Sequence, residues 1–203
     1  GKRPSGRCRA RKAPRFWNKG EGNRIVVPFY RESRLQLPDR NVVLEQSTDY
    51  PFGDRIEFRF AEKPDKEVSL ALVVPSYMQL RSLTLNGHPV EANVSAGFAE
   101  VAGPSSAGDR IELEYGFAAR WVPLENRDIT DRTLYKAMYG PLVLAYEGEA
   151  PLHLDGETPI LADGDGTFRI EGTPYELSPV YHLMSPKVCL AENYRRGITV
   201  RID

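Results

Sequence analysis

The sequence predicts an all-β protein, an antiparallel β-sandwich repeated as two consecutive sandwich-like units behind a disordered basic N-terminal tail. Three observations carry that expectation. From Arg24 onward, short segments rich in Val, Ile, Leu, Phe and Tyr recur at strand length. Clusters of Gly, Pro, Asn and Asp separate them, the residues that turns demand. Within the clearest segments apolar side chains alternate with charged ones: Ile56, Phe58 and Phe60 with Glu57 and Arg59, and Ile111, Leu113 and Tyr115 with Glu112 and Glu114. A period of two gives each strand one buried and one wet face, as antiparallel sheets require.

Residues 1–23 form the expected tail. Lys2, Arg3, Arg7, Arg9, Arg11, Lys12 and Arg15 meet no acid before Glu21, so a net charge of −1 conceals a tail of +7 and an acidic body of −8. Such a block has too little apolar surface to offset chain entropy. The first unit, 24–120, takes its strands from Arg24 to Tyr30, Asn41 to Thr48, Arg55 to Phe60, Val68 to Val74, Leu80 to Leu85, Gly97 to Val101 and Arg110 to Tyr115. Asn86-Gly87 suits a two-residue type I′ turn, because both residues tolerate positive φ. Ser105 to Asp109 makes a looser connection. After Arg120 the polar stretch Glu125 to Arg132 marks a boundary, and the second unit, 121–203, is expected to hold strands at Phe168–Glu171, Tyr175–Leu183 and Gly197–Ile202. Asp128 to Lys136 has weak helical character, enough for one turn or a loop.

Size does not limit the core, since a chain of 203 residues should bury about 70 to 75% of its unfolded surface. No apolar run approaches the ~20 residues of a membrane-spanning helix. The first fifteen residues contain no apolar signal-peptide core, and any export signal would lie elsewhere, so the compartment stays open. Cys8 and Cys189 cannot make a disulfide framework. Arg7 and Arg9 flank Cys8 and would favour its thiolate, yet a nucleophile also needs a base and a rigid pocket, so a catalytic role for Cys8 is not expected.

An ordered string of motifs adds a family. Ile25-Val26-Val27-Pro28-Phe29-Tyr30, Thr48-Asp49-Tyr50-Pro51-Phe52-Gly53-Asp54, Val73-Val74-Pro75-Ser76-Tyr77, Leu85-Asn86-Gly87-His88-Pro89-Val90, Ala107-Gly108-Asp109 and Tyr139-Gly140-Pro141-Leu142-Val143-Leu144 follow one another. In this order they resemble the C-terminal β-sandwich region of the β-L-arabinofuranosidases, glycoside hydrolase family 127, from about Arg24 to Asp203. Leu177 to His182 fits the family's last strands. The resemblance implies that catalysis belongs to an N-terminal (α/α)₆ barrel, where a glutamate and three cysteines hold zinc, one cysteine is the nucleophile and another glutamate is the acid/base. That barrel is not in this chain, so no catalytic residue, metal ligand or cofactor is assigned here.

The residues themselves leave aromatic side chains as the route to function. The 28 acids lie mostly on alternating strand faces and single out no catalytic pair. His88, His153 and His182 lack zinc-ligand spacing. Asp163-Gly164-Asp165-Gly166-Thr167 lacks the sixth-place glycine and distal glutamate of a calcium loop and reads as a hairpin tip. Tyr50, Phe52, Tyr77, Trp121 and Tyr139, with Trp17, are the carbohydrate-contact candidates, weighed against core packing. Phe52 and Tyr77 are the preferred surface anchors, each beside a turn. Three functions follow: a non-catalytic accessory region that supports or dimerises a glycoside hydrolase, a carbohydrate-binding module, or a protein-interaction or polyanion-binding domain acting through the tail. The expected partners are the barrel, a glycan or a second copy of the chain; nucleic acid and membrane are not expected.

Overall fold

The computed structural model describes residues 23–123, 135–148, 154, 156–164, 166–183 and 198–199. The architecture is nearly all β, as the periodicity predicts, and the chain divides into two compact units, Gly1–Gly116 and Phe117–Asp203.

The first unit is a sandwich of two sheets. Its strands are β1 (Arg24–Val27), β2 (Ser33–Leu37), β3 (Val42–Thr48), β4 (Arg55–Phe60), β5 (Ser69–Val73), β6 (Met78–Leu85), β7 (His88–Pro89), β8 (Val94–Ser95), β9 (Phe98–Ala102) and β10 (Arg110–Phe117). Four form a sheet in the order β1-β5-β9-β8 and six form the other in the order β2-β3-β4-β10-β6-β7. All seven expected segments become strands, some with shorter ends and β6 and β10 with longer ones. Alternation places Ile56, Phe58 and Phe60 opposite Leu113, Ile111 and their neighbours on the inner face of the six-stranded sheet, all fully buried. Leu70, Leu72, Ala99 and Val101 supply the facing layer. Tyr30 stitches the layers together: its ring lies 6.4 Å from Phe58 and its hydroxyl donates to Val73 O.

One pairing departs from the antiparallel expectation. β1 runs parallel to β5, with Ile25 beside Leu70 and Val27 beside Leu72. Three strands, β2, β3 and β4, intervene in the other sheet, each antiparallel to the next, and the chain returns to the first sheet in β5 with the direction of β1. Alternation within one strand reports its faces and says nothing of its neighbour's direction.

The outer face of the six-stranded sheet is a lattice of exposed ion pairs. Glu45 lies 3.4 Å from Arg34, Glu57 3.4 Å from Arg110, and Glu114 3.0 Å from Arg55. Each contributes at most about 1 kcal/mol, so the lattice mainly keeps this face wet and unattractive to other sheets.

At one end of the sandwich the connections are polar and tied by side chains. Asn86 and Gly87, at φ 53° and 78°, make the expected two-residue turn, pairing Leu85 with His88. Asp109 clamps it. Its Oδ1 accepts from Asn86 Nδ2 at 2.9 Å and its Oδ2 from the backbone N–H groups of Ser105 and Ser106 at 2.8 Å, while Arg110 N–H donates to Asn86 Oδ1. Burial alone would raise the Asp109 pKa, but the Ser105 N–H, the Asn86 amide and the Ser106 N–H outweigh it and hold the carboxyl below its ordinary range. A depressed folded-state value stabilises above the unfolded pKa and is lost as pH falls through the folded one. Asp109→Asn is therefore expected to cost about 1 kcal/mol at pH 7 and to converge with the parent protein in acid. Stability curves from pH 2 to 7 that run parallel would refute the clamp.

The second unit is a seven-stranded sheet. β11 (Ala119–Pro123), β12 (Tyr135–Tyr139), β13 (Leu142–Glu147), β14 (Ile160–Ala162), β15 (Phe168–Ile170), β16 (Glu176–Pro179) and β17 (Ile198–Thr199) run in the order β11-β12-β13-β16-β15-β14, with β17 also on β13. Trp121 Nε1–H on the first strand donates to Thr158 O just before β14, the last, at 2.6 Å, so the sheet folds back on itself. Its core is Ala137, Leu144, Phe168, Ile170 and Leu177.

Three local expectations change. The strand expected over Tyr175–Leu183 ends at Pro179, and Val180–Leu183 form a helical turn, α1; proline suits a strand end because it offers no N–H to the next rung. The strand expected over Gly197–Ile202 is described only as Ile198–Thr199. Residues 128–134 of the weakly helical stretch lie outside the described residues, and Tyr135 and Lys136 open β12. Asp163–Thr167 joins antiparallel β14 and β15 as the expected hairpin tip, with Asp163 N–H donating to Thr167 O. The Asp163 carboxylate accepts from Arg169 Nε at 2.7 Å.

Candidate functional site

The aromatic residues of the first unit gather at one end of the sandwich. β1 and β5 run side by side toward this end. The β3–β4 connection, Asp49 to Asp54, lies there, and β10 arrives beside it, since Tyr115 N–H donates to Asp54 O at 2.8 Å. Each loop pairs a proline with an aromatic residue: Pro28-Phe29-Tyr30, Tyr50-Pro51-Phe52 and Pro75-Ser76-Tyr77. Proline fixes φ and leaves these loops few conformations. The β3–β4 turn has a cis Tyr50–Pro51 bond, and Phe52 N–H donates to Asp49 O at 2.7 Å.

The rings sort by depth. Tyr115 and Tyr30 are buried, and Tyr50 lies between them and the surface, 5.6 Å from Tyr115 and 5.5 Å from Tyr30 between ring centroids. Its hydroxyl reaches that of half-buried Tyr77 at 3.3 Å. Burial first, then the Tyr77 contact, pushes the Tyr50 hydroxyl pKa upward; burial does the same for Tyr30, so both stay protonated at ordinary pH. Outermost are Phe52, 63% exposed, and Phe29, 54% exposed. Asp49, Asp54, Arg31 and Glu32 in the same loops are exposed.

The five described candidates therefore separate. Tyr50, Phe52 and Tyr77 share this end. Trp121 and Tyr139 belong to the second unit, where Trp121 packs on the core and Tyr139 lies 5.5 Å from Phe117 and 4.9 Å from Phe168. Trp17, Cys8, Cys189 and His153 lie outside the described residues. His88 and His182 are exposed, and among the described residues no three His, Cys, Asp or Glu side chains come together as a metal-binding group. Phe29 was missed in sequence. The signal was available: in an extended Phe29-Tyr30 pair successive side chains point to opposite sides, so one must face out once the other fills the core.

Other hollows of the first unit are unlike this end. One lies among Asn23, Asp39, Arg40, Asp65 and Lys66, another among Glu32, Arg34, Glu45, Glu57 and Arg59, and neither is lined by an aromatic ring. Among the described residues no helix is long and apolar enough to cross a membrane.

Comparison with known proteins bears out the family resemblance. Residues 24–117 match the model of the glycoside hydrolase family 127 β-L-arabinofuranosidase middle domain. No curated protein matches the sequence. Among solved structures, a glycoside hydrolase is 21% identical with a TM-score of 0.62, covering 88% of this chain and 35% of that one. A family 127 β-L-arabinofuranosidase from Geobacillus stearothermophilus T6 is 17% identical with a TM-score of 0.62, covering 89% and 34%. A family 127 β-arabinofuranosidase gives 17%, 0.62, 90% and 35%. At these identities the structures establish the fold, and the chain spans about a third of their length.

Proposed function

We propose that this chain, whose residues 24–117 are a domain related to the middle domain of the family 127 β-L-arabinofuranosidases, is the non-catalytic β region of a glycoside hydrolase and serves by supporting its catalytic barrel. The observation that carries the reading is coverage. The chain aligns over 88–90% of its own length yet over only 34–35% of the solved proteins, which leaves two-thirds of each of them outside the likeness.

Two of the described acids, Glu114 and Asp109, are poorly suited to acid catalysis. A glycosidase acid needs a carboxyl whose pKa is raised so that it holds a proton. Glu114 instead accepts from Ser82 at 2.9 Å and from Arg55, which hold its pKa below the ordinary range. Asp109 is likewise lowered. Both are built to stay ionised and to bind neighbours. The purified chain, assayed on β-L-arabinofuranosides with zinc supplied, is expected to give no turnover above the uncatalysed rate. Turnover that a chelator abolishes would overturn the proposal.

A further inference from the structure

We propose that Asn86-Gly87 is a latent deamidation site whose chemistry is held off by the clamp from Asp109 and Arg110, and whose conversion releases this end of the first sandwich. Water is the only co-reactant.

An asparagine followed by glycine is the one most readily attacked by its own backbone, because glycine has no Cβ to shield its nitrogen. No other asparagine in the chain precedes a glycine. The pair is exposed, and nothing beyond its chain neighbours lies within 4 Å of where a Gly87 Cβ would stand, so water and hydroxide reach the peptide. In the reaction the Gly87 N–H gives its proton to solvent base and the nitrogen bonds to Asn86 Cγ. The Cγ–Nδ2 bond breaks, and the nitrogen takes up a proton and leaves as ammonia. The succinimide so formed adds one water at either carbonyl carbon, which restores the N–H and yields aspartate or isoaspartate. No oxidant or reductant is involved.

Position opposes the first step. Three bonds tie Asn86 to the start of β10: its N–H donates to Arg110 O at 2.8 Å, its Oδ1 accepts from Arg110 N–H at 2.8 Å, and its Nδ2 donates to Asp109 Oδ1 at 2.9 Å. Both polar ends of the amide are engaged, so Cγ swings onto the Gly87 nitrogen only when both side-chain bonds break. Asp109 is itself fixed, since its Oδ2 accepts from the N–H groups of Ser105 and Ser106. The reactive geometry is therefore reached through a local opening of the whole clamp.

Conversion is a one-way release. It replaces the Nδ2 donor by a carboxylate oxygen against Asp109, so a hydrogen bond becomes a like-charge contact. Isoaspartate also inserts one carbon into the main chain of a turn that pairs Leu85 with His88. Either product loosens the tie between this turn and the Ser105–Asp109 loop.

The test incubates the 203-residue chain in native buffer and in urea, and follows the tryptic peptide Ser82–Arg110 by mass spectrometry for the gain of one mass unit at Asn86. Asn93, followed by Val94, is the reference within the same peptide. Asn86 is expected to convert at least tenfold more slowly in native buffer than in urea, and Asp109→Ala, folded by its melting temperature, should recover most of the urea rate. Asp109→Asn keeps one acceptor oxygen but turns an amide donor toward either Asn86 or the serine N–H groups, and should fall between; it decides the matter alone if the alanine variant does not fold. Equal rates in native buffer and urea, or a folded Asp109 variant as slow as the parent, overturns the guard. The converted protein, separated by its added negative charge, should unfold at lower urea than the parent. An unchanged midpoint overturns the release.

Discussion

Gly140→Ala is expected to destabilise the second unit by about 3 kcal/mol. Gly140 turns the chain between β12 and β13, where Tyr139 pairs with Leu142, and it does so at φ 53°. An alanine held in that left-handed region costs roughly 1–2 kcal/mol. Space adds a second penalty, because a Cβ here would lie 2.6 Å from Phe117 Cδ2 and 2.7 Å from Cγ. The ring cannot swing aside freely, being packed edge-on against Tyr139, so displacing it carries the usual overpacking cost of about 1–3 kcal/mol. Gly87→Ala isolates the backbone part, since its φ is 78° but nothing lies within 4 Å of the new methyl. Urea unfolding should rank Gly140→Ala well below Gly87→Ala, with faster amide exchange in β12 and β13. Equal losses would mean that the Phe117 ring yields without cost.

Much of this architecture is legible from residues alone, and the illegible parts share physical causes. Alternation identified β4 and β10 because both lie inside a sheet with one wet face, so Glu57, Glu112 and Glu114 punctuate their apolar residues. The same rule passed over β2. Ser33-Arg34-Leu35-Gln36-Leu37 is an edge strand in which only Leu35 is buried, too little apolar surface to register as a strand. β7 and β8 are two residues each and leave no periodicity to read. The Asn86-Gly87 turn was readable because its geometry is local, whereas its clamp by Asp109 joins residues far apart in sequence. The site follows the same division. Tyr50, Phe52 and Tyr77 stood out by composition, as did Trp121 and Tyr139, but only the fold distinguishes loop-end rings from rings that pack on the second core.

Replacing Gln46 with methionine is expected to raise the stability of the first unit by about 1–2 kcal/mol. Gln46 sits on β3 between Ser33 and Phe58, in the alternation class of Val42 and Leu44, and it is only 3% exposed. Among the described residues neither its Nε2 nor its Oε1 finds a hydrogen-bond partner. A buried amide without partners forfeits its bonds to water, a penalty of about 1–3 kcal/mol in mutational data. Methionine keeps the length and flexibility of the side chain while removing both polar atoms. Gln46→Glu should move the other way and depend on pH. Burial raises the pKa of a carboxyl, so the variant is least impaired in acid and loses stability as pH rises above its unfolded value of about 4.3. Denaturant unfolding of the three proteins at pH 4 and pH 7 separates the cases. A loss in Gln46→Met, in place of a gain, would show that a buried water bridges the amide and that the polar residue is part of the packed core.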